Sequence, residues 1–134
     1  MKTLKFKFLA LLVAIVTIVG CSMGDDQPSC FTQAYAPTTA VTGPETTTVN
    51  VPITFNVSFS IGNSCGVFNR FAETVSFPKT VIATADYTGC SCNPVTAVTT
   101  KPYVFTAPTA GTYVLNFATT NADTPIVKTI TVTQ

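Results

Sequence analysis

The chain has 134 residues, with seven basic and six acidic side chains and no histidine. That length suits one domain. Without histidine, Ser-His-Asp and Cys-His nucleophiles and histidine metal sites are excluded, and without a basic patch so is nucleic acid as a partner.

The chain opens with Lys2, Lys5 and Lys7, followed by an uncharged, almost wholly apolar run over 8–19. This is the charged start and apolar body of a secretory leader. The run is shorter than the roughly 20 apolar residues that a membrane span needs. Nor is it amphipathic, since Leu9, Leu11, Leu12, Val13, Ile15 and Val16 cover every face of a helix. Removing a leader over 1–20 takes away three lysines. Four basic residues then stand against six acids, a side-chain charge of −2.

At the end of the run, Ile18-Val19-Gly20-Cys21 resembles the lipobox of bacterial lipoproteins. The resemblance implies lipid on the Cys21 thiol, cleavage just before it, and an N-terminal membrane anchor. A small Gly20 fits a narrow protease site, and cysteine supplies a nucleophilic thiolate. Two acyl signals anchor stably where one holds only marginally. Asp25-Asp26 resembles the acidic stretch that marks surface export in Bacteroidota-type lipoproteins, which implies an outer-membrane protein facing outward.

With Cys21 assigned to lipid, Cys30, Cys65, Cys90 and Cys92 remain. An even set in a small exported domain reads as two disulfides. Cys90 and Cys92 are too close in sequence to pair without strain. Cys30 and Cys65 are therefore each expected to bond one of them, with the order left open.

Residues 21–37 read as a tether, rich in small and polar residues, with a first short strand near 39–42. From Val49 to Ile61 every odd residue is apolar and every even one is Asn, Pro, Thr or Ser. That period of two predicts a half-buried strand, with Pro52 near an edge or bulge. Residues 62–66 stop it. Further strands are predicted over 74–77, 80–88, 103–105, 112–119 and 126–133, with Val81, Ala83, Ala85 and Tyr87 on one face. A loop is predicted over 89–94, and no stretch has helical periodicity.

The stretch "FTAPTAGTYVLNF" (105–117) resembles the approach to the penultimate strand of bacterial immunoglobulin-like domains. That resemblance implies a tyrosine corner at Gly111 and Tyr113, with the phenol bonded to backbone a few residues upstream. Leu115 stands where antibody-type domains carry a core cysteine, and the chain has no tryptophan. The expected fold is all-β: one immunoglobulin-like antiparallel sandwich of about seven strands over 38–134.

No cofactor and no enzymatic chemistry are expected. Paired-carboxylate chemistry needs two acids across a cleft, and only Glu73 and Asp86 are placed to converge. Cys90 and Cys92, with Cys65 nearby, suit either structural disulfides or a soft metal such as Cu(I). Phe68, Arg70 and Phe71 offer a partner patch if the rings face outward, or core packing if a bulge turns them in. The expected role is a non-catalytic, lipid-anchored binding or adhesion module meeting a protein or glycan at the cell surface. The alternatives are thiol or copper handling at Cys90 and Cys92, and a structural subunit that pairs through an edge strand.

Overall fold

The computed structural model describes residues 30–134, which form nine strands with no helix among them. The strands are β1 (Phe31–Ala36), β2 (Thr38–Thr42), β3 (Thr46–Thr48), β4 (Ile53–Ile61), β5 (Gly66–Glu73), β6 (Lys79–Thr88), β7 (Ala97–Phe105), β8 (Gly111–Phe117) and β9 (Ile126–Thr133). The larger sheet runs β1-β6-β8-β9-β3, with β5 also on β6, and the smaller runs β2-β4-β7. Residues 83–87 of β6 pair with β1 and with β5 at once, so these two flank opposite edges of β6. The β6–β8 and β3–β9 pairings are parallel and the others antiparallel.

The two sheets pack face to face because each presents one apolar side. On β4, Ile53, Phe55, Val57, Phe59 and Ile61 are buried, while Thr54 and Asn56 are exposed. On β6, Val81, Ala83 and Ala85 answer them. Rings join the layers: Phe117 of β8 lies 6.1 Å from Phe55 and 5.7 Å from Tyr103, centroid to centroid. Each large side chain buried here contributes about 1.5–3 kcal/mol. The chain changes sheets at Pro37. There the Thr38 N–H donates to Ala118 O at 2.9 Å and the Ser60 N–H to Pro37 O at 3.0 Å, so the crossover keeps its backbone groups paired.

Four expectations on the elements are corrected. The tether expected up to residue 37 gives way to strand at Phe31, because Cys30 is bonded to Cys90 and β1 lies along β6 in six matched pairs. Only Ala36 of β1 is buried, so the strand has no apolar alternation to read. The single strand expected from Val49 breaks at Asn50, whose φ is 62°, in the left-handed region. Val49 packs on the core as the end of a turn, Val51 is exposed, and β4 starts at Ile53. Residues 74–77 are the loop between β5 and β6, closed by Thr80 N–H donating to Thr74 Oγ1 at 2.9 Å. The strand in that region is β5. β7 also begins six residues before the expected 103.

Candidate functional site

The site lies on the outer face of the larger sheet. Since Val81, Ala83 and Ala85 point inward, Thr80, Ile82, Thr84 and Asp86 of β6 point outward. The β1 register sets Gln33 opposite Asp86 and Tyr35 opposite Thr84, so both share that face. From β5, Arg70 lies opposite Thr84. From β8, Asn116 lies beside Thr80.

At one end of this face, two side-chain amides hold the Asp86 carboxylate. Gln33 Nε2 donates to Oδ1 at 2.8 Å and Asn69 Nδ2 donates to Oδ2 at 2.7 Å. The Asn69 bond, then the Gln33 bond, hold this carboxyl below the usual aspartate value, with a further pull from Arg70. Thr84 Oγ1 donates to Arg70 O at 3.0 Å.

At the other end is an open cavity of about 410 Å³. Tyr35, Thr80, Ile82 and Asn116 line it from the strands, and Ala118, Thr119, Thr120, Ala122 and Pro125 from the β8–β9 connection. The Tyr35 phenol donates to Thr119 O, which fixes the ring against the connection. Partial burial pushes that phenol's pKa up. The connection is itself bonded: Thr124 N–H donates to Asn121 O at 3.1 Å and Asp123 N–H to Asn121 Oδ1 at 3.0 Å. Thr119 Oγ1 lies 2.9 Å from both Asn121 O and Thr124 O. No charged side chain lines the cavity.

The sequence-predicted residues fall elsewhere. Cys30 is bonded to Cys90 and Cys65 to Cys92, with Cα–Cα distances of 5.0 and 5.5 Å. All four lie in or beside the connections at one end of the sandwich. Gly89, φ 134°, turns the chain there and donates its N–H to Cys30 O at 2.8 Å. With the sulfurs so joined, this end offers no thiolate for a soft metal. Among the described residues, no group of three or more Cys, Asp or Glu is placed to hold a metal ion.

Phe68 and Phe71 do not form an outward patch. A bulge between Phe68 and Arg70 shifts the register by one, so both rings turn to the core side. Phe68 lies 5.1 Å from Phe59, and Phe71 lies 5.5 Å from Tyr103. Arg70 alone of the three faces out, and Val67 is exposed. At Gly111, φ 151° is a conformation that favours glycine, and a Cβ would meet nothing within 4 Å. The Tyr113 phenol donates to Thr109 O at 3.0 Å, four residues upstream. Glu73 and Asp86 do not converge, because Glu73 lies opposite Val81, five residues from Asp86 along β6, roughly 17 Å. Glu73 instead accepts from the Tyr103 phenol at 2.5 Å and pairs with Lys79 at 3.2 Å. Cys21 and Asp25-Asp26 lie outside the described residues.

Gln33, Tyr35 and Asn116 carry no site signal in the sequence, and Asp86 reads there only as an acid that could converge with Glu73. The available signal is the parity of 80–88: if Val81 to Ala85 face inward, Asp86 faces outward. Nothing in the sequence places β1 or β8 beside it. Comparison with protein-family models, with curated proteins and with solved structures finds no match to this chain.

Proposed function

We propose that this chain is a non-catalytic binding module of the immunoglobulin-like kind, held at the bacterial outer membrane by lipid on Cys21, with the outer face of its larger sheet turned to a surface partner. The carrying observation is the open cavity of about 410 Å³ beside Tyr35, on a face that also carries Gln33, Thr84, Asp86 and Arg70. Ligand sites are concave with a few placed polar groups, and this cavity has that form. The strand that changes sheets at Pro37 and the Tyr113 bond to Thr109 support the immunoglobulin-like assignment. The separation of Glu73 from Asp86 supports a non-catalytic role. The anchor rests on the lipobox resemblance alone.

A photo-reactive residue in place of Thr120, at the cavity, or of Asn56, on the opposite sheet, tests the assignment on intact cells. Cross-linked products are expected at 120 and not at 56. Equal labelling, or none, overturns the binding face. Cys21→Ser is expected to release the protein from the membrane fraction, and its retention there overturns the anchor.

A further inference from the structure

We infer that the cavity beside Tyr35 takes an uncharged sugar residue of a surface glycan; the inference rests on the outer face being the binding surface. Charge selects the ligand class first. No acid or base lines the cavity, so a phosphate, carboxylate or ammonium would lose hydration there without a counter-charge. Polarity selects next. Ile82, Pro125 and the Tyr35 ring supply apolar surface, while Thr80, Thr120 and Asn116 supply hydroxyls and an amide. A hydrocarbon would strip water from those groups and leave them unpaired. A neutral sugar has both characters, with C–H faces for the apolar walls and hydroxyls that donate and accept.

Two features prepare the site. Tyr35 is 41% exposed, yet its phenol is committed to Thr119 O. The ring is a fixed wall, so little side-chain freedom is lost on binding. The Asn116 carboxamide takes no part in hydrogen bonds among the described residues, which leaves two donors and an acceptor at the cavity. The site also extends. Gln33 lies two residues from Tyr35 on β1, about 7 Å away along the strand. There Asp86, with one bond to each oxygen from Gln33 and Asn69, retains acceptor capacity for hydroxyls of a neighbouring sugar.

The test is a backbone amide titration by NMR of the full chain in a zwitterionic detergent. The probes are short neutral gluco-, manno-, xylo- and galacto-oligosaccharides, with a uronic-acid oligosaccharide as the anionic comparison. At least one neutral probe is expected to shift the amides of Asn116, Ala118 and Thr119, and the anionic probe is not. Tyr35→Ala and, independently, Asn116→Ala are each expected to weaken binding about tenfold, with circular dichroism unchanged. Shifts confined to another face, stronger binding of the anionic probe, or wild-type affinity in both variants overturns the proposal. If no neutral probe shifts the site while position 120 still cross-links a protein on cells, the sugar assignment falls and the binding module stands. If neither occurs, both fall.

Discussion

Thr38 is buried at the sheet crossover, and its hydroxyl has no partner among the described residues. A buried unpaired hydroxyl costs about 1–3 kcal/mol. Thr38→Val keeps the shape and removes that group, so it is expected to stabilise the fold by about 1 kcal/mol. A raised urea midpoint with unchanged slope checks it, and a lowered midpoint refutes it. Asp86 acts in the opposite sense. Its folded pKa lies below the unfolded one, held there first by Asn69. Its stabilising contribution is therefore present above the unfolded pKa and is lost as pH falls through the folded value. Asp86→Asn is expected to be less stable than wild type at neutral pH, with the gap closing below the ordinary aspartate range. Urea unfolding of both proteins in a pH series measures it, and a pH-independent gap rejects the assignment. Glu73, held low chiefly by Tyr103, behaves alike in both proteins and cancels.

At the scale of elements, β1 is the strand most dependent on its covalent tie. Five of its six residues are exposed, so apolar burial holds it only at Ala36. A disulfide closing a long loop contributes about 2–4 kcal/mol. Cys30→Ser with Cys90→Ser is expected to lower stability by that amount. β1 amides would lose hydrogen-exchange protection first, while β4, inside its sheet, keeps it. Uniform loss across the sandwich would show that β1 is not the separable part. The same contrast explains what the sequence makes legible. β4 and β6 alternate because each faces a core on one side and water on the other. β1 faces water along most of its length, and β5 carries a bulge, so neither shows a clean period. The cavity is assembled from three strands and a connection by register, which no local pattern encodes. The disulfide partners were narrowed to two options by the proximity of Cys90 to Cys92, and the structure selects one. The edges also bear on the alternative of strand pairing between chains. β7 carries Lys101 and Pro102, β2 and β5 carry bulges, and β3 has three residues. Each is a device that discourages edge-to-edge association, whereas β1, which ends the larger sheet's order, carries none of them.

At the scale of the whole molecule, the disulfides gather at one end, and the chain enters that end at Cys30. Eight residues lie between Cys21 and Cys30, so the two are at most roughly 30 Å apart. An anchor at Cys21 would thus hold the stapled end toward the membrane. Loop 74–78, at the far end of β6, would point away, and the cavity face would stand on the flank.

That arrangement sets how the protein bears load. A pull on the segment before residue 30 enters at Cys30 and passes straight through sulfur to Cys90. The intervening chain, a sequence separation of 60, cannot pay out while the bond stands. Stretched between its two ends, the oxidised protein is expected to lengthen by about 200 Å less than the reduced one, which single-molecule extension can read directly; equal extension would refute this load path. A module built this way stays short under drag. Along this path only the chain after Cys90 can extend, so the Cys30–Cys90 bond works as a mechanical limiter on end-to-end length.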